Sequence, residues 1–161
     1  MISNVEGLLV QRVTTYGGVL DNWPFFLEGL GRLNDIVTTK SDAVDAGTLL
    51  RFLLDCVVGR PTESAIYIVS SKNGKPLSYI IAADNSDTYH KTKSLLVYAI
   101  YSNKKSKTAS RIAFDTVERW AKMSGYEEIQ AYSPRASGAF LRFVKRFFGM
   151  SFKLTFLSKK I

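Results

Sequence analysis

Leu95-Leu96-Val97-Tyr98-Ala99-Ile100-Tyr101, Ser102-Asn103-Lys104-Lys105-Ser106-Lys107-Thr108, then Ala109 to Ser124, Gly125, and Glu128-Ile129-Gln130-Ala131-Tyr132: this stretch decides how the chain is built. Its first seven residues are apolar or aromatic, with β-branched Val97 and Ile100 among them, as suits a buried strand. The next seven are small, polar and cationic. Ala109 to Ser124 repeats apolar residues at helical spacing, and Gly125 is placed to end that helix, because a residue without Cβ takes the left-handed conformation that closes a C-terminus. A second strand follows at once. A strand that feeds a helix through a small basic loop can hold a pyrophosphate, since the unpaired N–H groups and the dipole of the helix start both favour an anion.

Outward from this unit, the C-terminal side reads as Ser133-Pro134-Arg135-Ala136-Ser137, then a helix with Phe140, Phe143, Val144 and Phe147 on one stripe, then a final strand over 151–158. On the N-terminal side, Ala65 to Ser70 and Pro76 to Ala82 flank Asn73-Gly74, the strongest short-range signal for an antiparallel hairpin. Asp84 to Lys93 reads as a loop. Earlier still, Gly7 to Val13 reads as the first strand and Tyr16-Gly17-Gly18 as a turn. A helix capped near Asp21 or Asn22 and a second one started by Ser41-Asp42-Ala43-Val44-Asp45 and stopped by Gly59-Arg60-Pro61 complete the chain. The order expected is β-α-α-β-β-β-α-β-α-β, a single α/β (α+β) domain over residues 1–161 with a mixed central sheet.

With 161 residues, 46% hydrophobic and 22% charged, the chain is long enough to bury a full core. No apolar run reaches the roughly 18–20 residues of a membrane span. The opening Met1 to Glu6 lacks the basic and apolar regions of a signal peptide, which predicts a cytoplasmic protein. Cys56 is the one cysteine and His90 the one histidine, so neither an internal disulfide nor a Cys/His zinc site is expected. The net charge of +8 is uneven, at −3 over residues 1–90 and +11 over 91–161. Such an asymmetry points to an anionic partner for the C-terminal half: a phosphorylated cofactor, nucleic acid or an acidic protein. Lys104, Lys107, Arg111, Arg142, Lys145 and Arg146 are the residues of a candidate basic face.

The element order resembles the GNAT-type N-acetyltransferases over nearly the whole chain. Val117 to Gly125 resembles the family's third helix and Leu141 to Gly149 its fourth. The family motif V-x-x-x-x-Q/R-x-x-G-x-G/A, which lays backbone N–H groups against the pyrophosphate of acetyl-coenzyme A, falls on Ile100, Lys105, Thr108 and Ser110. The spacing is kept and the residues differ. The resemblance therefore implies a cofactor site built from Ile100, Lys105, Ser106, Lys107, Thr108, Ala109, Ser110 and Ser137, with no metal. It also implies an amine acceptor. The family's usual tyrosine acid falls at Val144 or Phe143, which have no proton to give, and the central strand carries no glutamate to serve as base. Tyr98, Tyr101, Tyr132, His90 and Asp84 remain as candidates, with Tyr98 and Tyr132 placed to face the cleft between the central strands. Two functions stay open: an acetyl-coenzyme A-dependent N-acetyltransferase, or a non-catalytic scaffold of the same fold. Diverged proteins of tailed phages, some virion-associated, have that second character, and the basic half would then bind nucleic acid or an acidic protein.

Overall fold

The computed structural model describes residues 2–35, 43–86, 92–103, 106–131 and 145–146. Six strands form one sheet: β1 (Ile2–Val5), β2 (Leu8–Val13), β3 (Ser64–Ser70), β4 (Pro76–Asp84), β5 (Ser94–Ser102) and β6 (Glu128–Ala131), hydrogen-bonded in that order. All neighbours are antiparallel except β5 and β6, which are parallel and joined by α4 (Lys107–Met123). A parallel pair needs such a crossover, whereas antiparallel pairs can be joined by a tight turn. Asn73-Gly74 makes that turn between β3 and β4, with Gly74 at φ 81°.

One face of the sheet is covered by α4. Its buried stripe, Ala109, Ile112, Ala113, Phe114, Val117, Trp120 and Ala121, packs on Val69, Ile80, Ala82, Leu95 and Val97. Gly125 closes the helix at φ 78°, as its position in the sequence predicts. The other face is covered by α1 (Tyr16–Asp21), α2 (Trp23–Asn34) and α3 (Ala46–Leu54), whose Val19, Phe25, Phe26 and Leu53 pack on Ile66, Ile68, Tyr79 and Ile81. Both faces of β3 and β4 are thus dry, which is why these strands read as continuous apolar runs.

Two local expectations are corrected. The chain opens with two strands: β1 and β2 form a hairpin through Glu6 and Gly7, at φ 51° and 77°, the positive values that a two-residue hairpin turn demands. Tyr16-Gly17-Gly18 is the first turn of α1, because Thr15 caps it and accepts a hydrogen bond from the Gly18 N–H at 3.1 Å. Asp45, the last residue of the expected start signal, caps α3, its carboxylate receiving the Thr48 N–H at 2.9 Å and the Thr48 hydroxyl at 2.6 Å. α3 then widens into a π-helical turn over Asp55–Gly59, where the Arg60 N–H donates to the carbonyl of Asp55 at 2.8 Å. The final helix and strand expected beyond Ala131 lie outside the described residues, apart from Lys145 and Arg146, which are helical and exposed.

Candidate active site

β5 carries the irregularity on which the site is built. Ile81 pairs with Ala99 and Ala82 with Val97, so Tyr98 has no partner on β4. This is a β-bulge, and it breaks the alternation of side chains. Val97 belongs to the α4 face. Tyr98 and Ala99 both lie on the other face, Tyr98 against the Phe52 ring of α3 at 4.6 Å and Ala99 against the core beneath α1 to α3. Tyr98 is 45% exposed and Ile100 39%, high values for the middle of an inner strand. The described pairing of β5 with β6 stops at Val97 with Ala131, so the bulge coincides with the end of that ladder among the described residues.

Two residues of the connection, Asn103 and Ser106, tie β5 to α4. The Asn103 N–H donates to the carbonyl of Leu77 and the Ser106 N–H to that of Asn103, both at 2.9 Å, and the Ser102 hydroxyl donates to the carbonyl of Ser106 at 2.8 Å. Ser106 stands at the helix cap, yet its side chain makes no capping bond. The first N–H groups of a helix have no partner within it. Those of Lys107, Thr108 and Ala109 therefore have no helical carbonyl to bond, beside the exposed Lys107 side chain. Ala109 is fully buried and offers only its main chain; Thr108 is exposed, so its methyl and hydroxyl leave the core untouched. Lys107 and Thr108, expected in the loop, are instead the first helical residues. Lys105, Tyr132, Ser137 and His90 lie outside the described residues.

On the α1–α3 face an aromatic group lines the approach to the bulge. Tyr79 of β4 and Tyr101 of β5 lie 5.5 Å apart, with Phe25 edge-on to each at 5.5 Å and Phe26 edge-on to Tyr79 at 5.0 Å. Tyr101 donates its hydroxyl proton to Glu28 of α2 at 2.6 Å. Burial foremost, with the Glu28 bond and charge behind it, raises the Tyr101 pKa above that of a free tyrosine. α2 comes this close because residue 29 is glycine: a Cβ there would run into the Tyr79 hydroxyl. Glu28 was not among the sequence candidates. Its signal was the neighbouring Gly29, legible as a point of close approach rather than only as a weak helix former.

The remaining candidates have structural duties. Asp84 caps a turn, accepting from the Ser86 N–H at 2.9 Å and hydroxyl at 2.6 Å. Cys56 is 2% exposed, and burial pushes its thiol up to about 11. Only about a thousandth of such a group is thiolate at pH 8, so iodoacetamide is expected to label the native protein far more slowly than the urea-unfolded one, with the native rate rising toward pH 11. On α4, Arg111 pairs with Asp115 at 3.6 Å and Lys122 with Glu118 at 2.8 Å, so part of the basic face is balanced by its own helix. Among the described residues no group of three or more His, Cys, Asp or Glu is placed to hold a metal ion, and no helix is long and apolar enough to cross a membrane.

No protein-family model matches the sequence, and a search of curated proteins finds no relative. Solved structures do match. Aminoglycoside N-acetyltransferase AAC(6')-Iy in complex with CoA superposes with a TM-score of 0.70 over the whole of both chains at 11% identity. Glucosamine-6-phosphate N-acetyltransferase from Arabidopsis thaliana gives 0.68 over 96% of this chain and 99% of its own, at 15% identity. An aminoglycoside acetyltransferase from an uncultured soil metagenomic sample, in complex with trehalose, gives 0.65 over 96% and 97%, at 10% identity. The fold is that of the GNAT-type acetyltransferases. At these identities the likeness establishes the fold, and the chemistry rests on the residues.

Proposed function

We propose that the protein transfers an acetyl group from acetyl-coenzyme A to an amine. The observation that carries this reading is the pairing of a bulged strand with an uncapped helix start in this fold: β5 is bulged at Tyr98 and ends at Ser102, and α4 starts at Lys107. The described residues fit the coenzyme. An uncapped helix N-terminus flanked by a lysine suits a pyrophosphate, and Thr108 points away from the core. Acetyl-coenzyme A supplies the activated thioester. Lys107, Thr108 and Ala109 donate main-chain hydrogen bonds to its phosphates, and Lys107 adds charge. The backbone of the bulge, out of register with β4, offers an N–H donor where an oxyanion would develop. Tyr98, half exposed against Phe52, holds at its hydroxyl the proton that a departing thiolate needs. The aromatic group of Phe25, Tyr79 and Tyr101 shapes the approach for the amine.

Titration of acetyl-coenzyme A by calorimetry tests the reading. Micromolar affinity that weakens in a Lys107→Glu protein is the expected result. Absence of heat at millimolar coenzyme would leave the fold as a scaffold, and the basic residues of the C-terminal half would become the place to look for an anionic macromolecule.

A further inference from the structure

An amine acceptor reaches the site as an ammonium ion and attacks only after losing a proton. The central strand has no carboxylate for this, but the fold brings one to it from elsewhere. Glu28 lies on α2, and its carboxylate is bonded at 2.6 Å to the hydroxyl of Tyr101, 73 residues away on β5. The contact is held from three sides: Phe25 and Tyr79 pack on the Tyr101 ring, and Gly29 lets α2 press on Tyr79. Tyr101 stands three residues beyond Tyr98 on the same face of the sheet, so the pair borders the approach to the bulge. Glu28 is exposed, as a group that returns its proton to water must be.

We propose that Tyr101 and Glu28 form the proton-accepting pair for the acceptor amine, an inference that rests on the acetyl-transfer reading above. One N–H bond of the ammonium breaks, its electron pair stays on nitrogen, and the proton passes to the Tyr101 oxygen. At the same time the Tyr101 O–H bond breaks and its proton joins the Glu28 carboxylate. The products are a neutral amine, an intact tyrosine and a carboxylic acid that releases its proton to solvent. Among the described residues the titratable and charged groups that face the pair are Tyr79 from β4 and Arg32 from the next turn of α2, Arg32 itself lying 3.9 Å from Asp35. Arg32 favours a negative charge on the tyrosine oxygen while the proton is in transit.

The test compares ethanolamine, an ammonium ion at neutral pH, with hydroxylamine, which is largely uncharged there, as acceptors from acetyl-coenzyme A. Glu28→Gln and Tyr101→Phe are each expected to lower kcat/KM for ethanolamine about 100-fold and to shift its pH profile upward, with a loss below about tenfold for hydroxylamine. Acetyl-coenzyme A affinity should be unchanged by calorimetry in both. Equal losses on the two amines, or no loss on ethanolamine, would overturn the pair. If the unmodified protein binds no coenzyme, it is the acetyl-transfer reading that fails, since that measurement does not involve Glu28 or Tyr101. If coenzyme binds and neither amine reacts, ultraviolet titration decides, with the Tyr101→Phe difference spectrum isolating Tyr101. A Tyr101 ionisation that moves down in Glu28→Gln supports the pair, and one that Glu28→Gln leaves in place overturns it.

Discussion

A Phe26→Ala protein is expected to lose about 3–5 kcal/mol of stability. Phe26 is fully buried, sits in the core beneath α2 and lies edge-on to Tyr79 with ring centres 5.0 Å apart. Removing the ring deletes its transfer free energy and leaves a cavity between a helix and a sheet that are already close-packed at Gly29. Against the roughly 5–15 kcal/mol that holds a domain of ordinary size, this is a large share. Urea denaturation reads it as a fall in midpoint at constant slope. Leu27→Ala, one residue along the same helix and 37% exposed, should stay within about 0.5 kcal/mol of the unmodified protein. The loss at Phe26 should also loosen Tyr79, and through it Tyr101, while α4 on the opposite face stays packed.

Thr108→Glu is expected to separate stability from cofactor affinity. Thr108 is the second residue of α4 and exposed. A carboxylate there interacts favourably with the helix dipole, so thermal stability should rise slightly, by about 0.3–1 kcal/mol. The same charge would stand within a few ångströms of the pyrophosphate in the acetyl-transfer reading. At an effective dielectric between that of a protein surface and water, repulsion at that distance costs about 1–3 kcal/mol, which is roughly a 5- to 150-fold weakening of Kd for acetyl-coenzyme A. Calorimetry and a thermal scan on one preparation check both signs. A protein that gains stability and keeps its affinity would remove the helix start from the coenzyme site. Thr108→Gly should do the reverse, costing helix stability while leaving affinity equal or tighter.

Much of this fold was legible because its strongest signals are local. Asn73-Gly74 names its own hairpin, Gly125 its own helix end, and the dry strands β3 and β4 announce themselves by apolar runs that need burial on both faces. Weaker elements were lost to competing local readings. Gly17-Gly18 reads as a turn unless Thr15 is seen as the cap that overrides two poor helix formers, and the four-residue β1 has no apolar run of its own. The π-helical turn at Asp55 continues an apolar helical pattern and leaves no separate trace in it. The candidate site was half legible for the same reason. Spacing along one chain segment located the start of α4, but the bond between Glu28 and Tyr101 joins elements remote in sequence, and no periodicity encodes it.

The strand order has a consequence for how the chain acquires its structure. Each described strand lies beside its predecessor in sequence, so the first five are laid down as a meander that grows from one edge as synthesis proceeds. The addition of β6 differs in kind, because its parallel pairing with β5 requires α4 to cross the sheet first. Until then the β5 edge, with its bulge at Tyr98, is the growing margin of the sheet and the part most open to pairing with another nascent chain. The irregular backbone at Tyr98 interrupts that margin midway, as bulges do at edges where pairing with another chain is a hazard.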